Sequence, residues 1–362
     1  MASLPFVAVS PTVAAIWQHY ESRQDAPRAH LGASVIGRPC ARQLWYAFRW
    51  AYRERFEGRM LRLFERGHRE ESWFAEDLRA IGVTLHTVDA AGQQFRFSAV
   101  GGHVGGSMDG AGIGFPEAPK TWHVFEAKTH SAKSFTKLQA GVKVAKPEHW
   151  AQMQLYMKWS GMERAFYLAV NKDTDDLLSE RIEADSAAAE ALEQRARMVV
   201  EASTPPDGIS KDPAWFECKF CPAAAVCHRG EGVQINCRTC LHSTPITDGD
   251  GGRWHCARHN AELPAEVMPK GCAEHRLIPA LVPWATVTDA DVESNVVWYS
   301  LGETGPAFSN GGPQGFTSAE IVKHREKELR LMLDPVVAGL REQMGAKVKR
   351  VKWMPQGAGV EA

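Results

Sequence analysis

Apolar positions recur with helical period over residues 11–24 and again over 41–80, where the pattern reads as one or two amphipathic helices closed by Ile81-Gly82. The texture then changes. Short β-type runs at 83–88, 94–100, 103–109 and 121–128 are separated by Gly and Pro clusters. Helical period returns at 131–140 and 147–160. A strand is predicted at 164–171, with 177–182 pairing to it, and an Ala/Glu-rich helix at 185–202 stops at Ser203-Thr204-Pro205-Pro206. Helix, antiparallel strands, helix, strand is the order of an α/β core with a mixed sheet.

Beyond residue 230 the periodic signal fades. Residues 231–285 are rich in Cys, His, Gly and Pro, as small metal-stapled modules are. Strands are predicted within 286–301, a Gly-rich linker from Gly302 to Gly315, and a charged helix over 317–343 before the basic run Lys347–Lys352. The chain therefore reads as a core domain over 1–230, a Cys/His-rich module over 231–285, and a strand and helix extension over 286–362.

At 362 residues and 44% hydrophobic content, the chain can bury a full core. Its net charge of -1 means that any surface for nucleic acid is a local patch rather than a global field. No apolar run reaches membrane-spanning length and the N-terminus lacks a basic signal-peptide region, so a cytoplasmic location is expected. The eight cysteines include two C-x-x-C pairs, which in a reducing compartment indicate metal or redox chemistry rather than disulfides.

The candidate chemistry centres on Asp109 and the run Phe125-Glu126-Ala127-Lys128. Alternate side chains of a strand share a face, so Glu126 and Lys128 point together. Asp109 falls near the end of the preceding strand candidate, and a hairpin would bring its carboxylate to the same edge. Paired carboxylates with nearby backbone carbonyls suit Mg²⁺ or Mn²⁺. Such an ion acidifies water and neutralises phosphate charge, while Lys128 would orient the water or stabilise the developing anion. Upstream, His68 and Glu71 stand three apart on one helical face and either could reach the ion; Glu70 reads as surface charge. Downstream, Gln152 and Tyr156 stand four apart, placed to contact a phosphate or a base.

Together these residues resemble the PD-(D/E)xK nuclease superfamily, specifically its RecB-like branch. The resemblance covers roughly residues 30 to 230 and implies a restriction-endonuclease-like core, with a mixed central sheet flanked by helices. It places His68 or Glu71 in the first motif, Asp109 in the second, Glu126 and Lys128 in the third, and Gln152 with Tyr156 in the last. The glycine preceding His68 is closer than the family's usual spacing, which leaves His68 and Glu71 both open. Cys40, with Cys218-x2-Cys221-x5-Cys227, is similar to the iron–sulfur frame of AddB-type and CRISPR-adaptation nucleases, implying a [4Fe–4S] cluster, with Zn²⁺ as the alternative. Tyr167 to Lys172 is weakly similar to phage-encoded exonucleases.

A second quartet, Cys237, Cys240, Cys256 and Cys272, reads as a loosely spaced structural zinc site. His242, His255, His259 and His275 beside it leave Cys3His ligation open, and a second iron–sulfur cluster is the less favoured reading.

Residues 38–69 interleave nine arginines, Arg42, Arg49 and Arg53 among them, with aromatic residues from Trp45 to Phe56. A helix with an aromatic inner face and a basic outer face could track a phosphate backbone, and Lys133 and Lys137 would extend that track. A core helix with a solvated arginine face fits the same pattern. The expected activity is a Mg²⁺- or Mn²⁺-dependent DNA exonuclease in recombination or end processing, phage-encoded or partnered by a strand-annealing protein or a separate helicase. The alternatives are an endonuclease or end-trimming subunit, and a non-catalytic DNA-binding protein. Oligomeric state is not legible.

Overall fold

The computed structural model describes residues 9–23, 27–303, 305–334 and 336. The chain forms two compact units: Met1–Leu44, Arg53–Val200 and Thr247–Gly252 in the first, Trp45–Tyr52, Glu201–Ile246 and Arg253–Ala362 in the second. The division thus falls near residue 200 rather than 230, and the second unit also takes Trp45–Tyr52 from the middle of the sequence.

The first unit is built on a five-stranded sheet in the spatial order Thr84–His86, Gly110–Ile113, His123–His130, Arg164–Asn171, Leu177–Glu183. The central strand His123–His130 pairs antiparallel with Gly110–Ile113 and parallel with Arg164–Asn171. The sheet is mixed, as expected. A parallel neighbour requires a crossover, and residues 131–163 supply it through a short helix at Ala132–Lys137 and the 14-residue helix Pro147–Ser160. Pro147 at the first helical position suits a helix start, and Gly161 at φ 73° ends it in a left-handed turn.

One face of the sheet packs against the 23-residue helix Gly58–Ala80. Phe74, Ala75 and Leu78 of that helix join Leu85, Phe115, Phe125, Ala127, Phe166, Leu168 and Val170 in one apolar cluster. That cluster fixes the alternation of the central strand: Phe125 and Ala127 go into the core, so Glu126, Lys128 and His130 fall on the other face.

Gly110–Ile113 corrects the hairpin inferred from sequence. The predicted strand 103–109 ends at Ser107 and belongs to a separate three-stranded sheet with Leu31–Gly32 and Arg96–Ala99. The true partner of the central strand, Gly-Ala-Gly-Ile, carries too little β-branched side chain to read as a strand. Its glycine is demanded by packing, since a Cβ on Gly110 would lie 2.8 Å from the carbonyl oxygen of His86. Asp109 sits in the bend between the two sheets.

In the second unit, Ser243–Pro245, Trp254–Cys256 and Ala261–Glu262 form a small antiparallel sheet. Thr286–Asp291, Val296–Ser300 and Ala307–Asn310 form another. The last of these strands lies inside the stretch read as a Gly-rich linker. The final helix is described over Ser318–Leu333; the rest of its predicted span, except residues 334 and 336, and the Lys347–Lys352 run lie outside the described residues.

Arg49 and Arg238 are the most unusual residues of this unit. Arg49 is 2% exposed and Arg238 is 0% exposed, so neither guanidinium lies in solvent. Their guanidiniums lie over aromatic rings instead: Arg238 at 3.8 Å from the Trp50 centroid and 4.8 Å from Trp254, Arg49 at 5.1 Å from Trp254 and 5.5 Å from Trp45. Arg49 donates to the carbonyls of Arg238, Ser243 and Ala202, and Arg238 donates to that of Phe48. Burial pulls Arg49 down to about 10 and Arg238 to about 9, both still charged at neutral pH. Arg49 is therefore a packing residue, not the outward phosphate contact expected of it.

Candidate active site

The central strand brings Glu126 and Lys128 together as its two-residue period requires, and the Lys128 ammonium bonds to Glu126 Oε1. Glu126 is fully buried, and its other oxygen, Oε2, has no hydrogen-bond partner. Burial pushes this carboxyl up to about 8 against the opposing pull of Lys128, with Asp109 and Glu71 adding repulsion. Lys128 is held above the usual lysine range by the negative charge of Glu126 and Asp109, which outweighs its own desolvation.

Asp109 reaches the same place from the bend rather than from a strand end. Its Oδ2 accepts a hydrogen bond of 2.9 Å from the amide of Ala127, which pins the carboxylate across the strand between Glu126 and Lys128. Glu71 is the third acid. Its carboxyl is raised, first by burial and then by Asp109, so the two charges share one neighbourhood. Of the two first-motif candidates, Glu71 lines the cleft beside Lys128 and His68 does not, although His68 is within electrostatic range of Glu71. Glu70, read as surface charge, is 8% exposed, bonds Arg66 at 3.4 Å and lines the same cleft.

Gln152 and Tyr156 are both buried and face each other, with 3.3 Å between Gln152 Nε2 and Tyr156 Oη. The Tyr156 hydroxyl donates to the carbonyl of Ser107 at 2.8 Å. A Cβ on Gly106 would lie 2.6 Å from that hydroxyl, so glycine is required there. Tyr156 thus ties the helix to the strand that leads into Asp109. At 2% exposure it has little surface to offer the phosphate or base expected of it.

The cleft encloses about 350 Å³ and has two walls. Glu70, Glu71, Gly67 and Phe74 come from the long helix; Lys128, His130, Ser134, Lys146 and His149 come from the strand and crossover. The last four were not singled out in the sequence. His130 had a visible signal, because it continues the Glu126, Lys128 alternation by one more step. His149 had another, standing three before Gln152 and seven before Tyr156 on one helix face.

Among the described residues, no group of three or more His, Cys, Asp or Glu side chains is arranged to hold a metal ion. An orphaned buried carboxyl oxygen with two more acids in range is nonetheless a donor set suited to a hard divalent cation. Lys133 and Lys137 are exposed on the short crossover helix, Arg53 is exposed in a loop and Arg42 is half-buried.

The cysteines separate by unit. Cys40 lies in the first, and Cys218, Cys221 and Cys227 in the second. Cys237, Cys240, Cys256 and Cys272 all lie in the second; Cys237 and Cys240 are each within electrostatic range of the other three, and burial raises the thiols of Cys237 (to about 11) and Cys240. The amide of Arg276 approaches Cys240 Sγ at 3.5 Å, and His259 Nε2 lies 3.7 Å from Cys272 Sγ.

No family model matches the chain, and no curated protein does. Among solved structures, it is similar to SSO0001 at 14% identity, over 60% of this chain and 96% of that one, with a TM-score of 0.35. It is also similar to the alkaline exonuclease LHK-Exo from Laribacter hongkongensis at 17% identity, over 50% of this chain and 90% of that one, with a TM-score of 0.33. LHK-Exo in complex with dAMP gives 16% identity, 51% and 90% coverage, and a TM-score of 0.32. No helix among the described residues is long and apolar enough to cross a membrane.

Proposed function

We propose that this chain is a Mg²⁺- or Mn²⁺-dependent deoxyribonuclease that hydrolyses phosphodiester bonds at DNA ends. The observation that carries the reading is the orphaned Glu126 oxygen beside Lys128, with Asp109 held against the same strand. Such a pairing of buried acid and lysine is expensive to maintain in a fold and is retained where it does chemistry. Glu126 and Asp109, with Glu71 opposite, would hold the cation. When bound, the cation supplies Lewis acidity toward a phosphoryl oxygen.

The chain's own groups do the rest. The Ala127 amide orients Asp109, and Tyr156 fixes the strand before it. Lys128 leaves Glu126 for the anionic oxygen that develops during hydrolysis, an interaction that strengthens only as charge accumulates.

The deciding assay compares end-labelled linear DNA with closed circular DNA under Mg²⁺ or Mn²⁺, for wild type, Glu126→Ala and Lys128→Ala. Digestion of linear DNA alone, lost in both variants, is the expected result. Nicked circles would indicate an endonuclease. A metal-loaded wild type inert on every substrate, but binding DNA in a salt-dependent way, would indicate a binding protein.

We further propose that Cys237, Cys240, Cys256 and Cys272 hold structural zinc, and that Cys40, Cys218, Cys221 and Cys227 hold a [4Fe–4S] cluster. The range of Cys237 and Cys240 to the other thiols of their quartet supports the former; spacing alone supports the latter. Metal analysis and visible absorbance after anaerobic purification separate zinc from iron–sulfur at each quartet.

A further inference from the structure

The basic wall of the cleft contains a continuous row of hydrogen-bonding groups. Ser134 Oγ lies 3.0 Å from His130 Nδ1, His130 Nε2 lies 2.8 Å from Tyr167 Oη, and Tyr167 Oη lies 2.9 Å from His149 Nδ1. Tyr167 is fully buried, whereas Ser134, His130 and His149 line the cleft with Lys146 and Lys128. Sheet register explains the row. Tyr167 stands opposite Glu126 on the neighbouring parallel strand and so shares its face.

A phenol hydroxyl has one proton to donate, so Tyr167 donates to one histidine and accepts from the other. Burial together with Lys128 and Lys146 holds His130 down to about 4 and His149 to about 3, so both rings are neutral near pH 7. Two proton orders are then open. In one, Ser134 donates to His130, His130 to Tyr167 and Tyr167 to His149 Nδ1, which leaves the His149 proton on Nε2. In the other every bond is reversed and Nε2 is bare. Since Nδ1 is engaged by Tyr167, Nε2 is the polar atom His149 has left for a ligand.

The setting selects the class of that ligand. His149 occupies the first turn of the helix Pro147–Ser160, directly after Lys146, where unpaired amides carry partial positive charge. A neutral N–H donor, two ammonium groups and a helix start line the same cleft, an arrangement complementary to a phosphate. The acids Glu70 and Glu71 come from the opposite wall, which leaves the basic side for an anion.

Resting on the nuclease reading, we propose that His149, held by Tyr167 and flanked by Lys146, binds a phosphate of the substrate strand next to the one cleaved. Binding selects the proton order that leaves Nε2–H outward. His149 is thus a substrate contact and Tyr167 a positioning residue.

The test is an NMR titration of the full chain labelled with ¹⁵N-histidine, without divalent metal. The probes are inorganic phosphate and then a short 5′-phosphorylated oligonucleotide. The expected result is a saturable shift of the His149 ring nitrogens with Nε2 protonated, competition between the two probes, and affinity weakened about tenfold or more in His149→Gln. Tyr167→Phe should blur the tautomer signature while leaving His149 in place, and Lys146→Met, at a half-buried position, provides a variant with little risk to folding. An unmoved His149 signal, wild-type affinity in His149→Gln, or phosphate binding with which the oligonucleotide does not compete would each overturn the proposal. No cleavage is needed, so an inactive protein that still shows the shift would fail the nuclease reading alone, and an active one with an inert His149 would fail this one alone.

Discussion

Glu126 bears the site's principal tension at the scale of one residue. Its carboxyl is fully buried, raised by desolvation, and satisfied on one oxygen only. Glu126→Gln preserves the shape and removes the charge. Metal-dependent cleavage should fall by about 10²–10³ or more, the scale typical of losing a group that acts on developing charge, while thermal stability without metal holds or rises. A drop in melting temperature together with retained cleavage would show that the pair is merely structural. Glu126 and Lys128 were legible because a two-residue period is all that their convergence needs. Asp109 was legible as a residue but not in its attachment, because the bond from the Ala127 amide depends on a strand pairing that glycines concealed. Tyr167 was visible only as the start of a weakly similar run, since its place in the row arises from what the parallel register sets opposite it.

Among the elements, Gly110–Ile113 is the one on which the site's geometry turns. Gly110→Ala would set a methyl 2.8 Å from the His86 carbonyl, and backbone cannot yield as a side-chain tip can. We expect a loss of about 1–3 kcal/mol in stability and a fall in cleavage from displacement of Asp109, measured by denaturant melts beside the linear-DNA assay. The helix Ala41–Phe48 shows how a correct pattern can be assigned the wrong meaning. Its arginine and aromatic alternation was visible, yet Arg49 faces Trp254 and Arg238, residues about two hundred positions later that no local period reveals. Arg49→Met should cost roughly 2–4 kcal/mol by orphaning three carbonyls, with the salt dependence of DNA binding unchanged. A reduced salt slope would restore Arg49 to the nucleic-acid surface.

For the whole molecule, stability should follow two opposed titrations. His130, His149 and His275 are held neutral in the fold, at about 4, 3 and 4, and His123 is also lowered. Unfolding frees them to charge near pH 6.5, so stability falls as pH drops from about 6.5 toward 4. Glu126 acts the other way. Its stabilising proton is fully present below about 4.5 and lost as pH rises through about 8. The metal-free protein should therefore be most stable near pH 6.5, and Mg²⁺ should extend that plateau to the alkaline side. Melting temperatures across pH 4–9 with and without Mg²⁺ would check both limbs. Chelation at the Cys237 quartet should melt the second unit, followed by circular dichroism and zinc release. The mixed sheet was readable in the order of its elements. The division of the chain was not, because the capture of Trp45–Tyr52 by later sequence is a tertiary fact.

That capture has a consequence in time. Trp45, Phe48, Arg49 and Trp50 leave the ribosome early, but the carbonyls, the guanidinium and the indole that enclose them come from Ala202, Arg238, Ser243 and Trp254. At about 5–20 residues per second, synthesis of the intervening stretch takes roughly ten to forty seconds. Throughout that interval the nascent chain shows an aromatic, cationic segment with nothing to cover it, an evident target for a chaperone. A fragment ending near residue 200 would never close that interval, and should be recovered as aggregate rather than as a free-standing catalytic half.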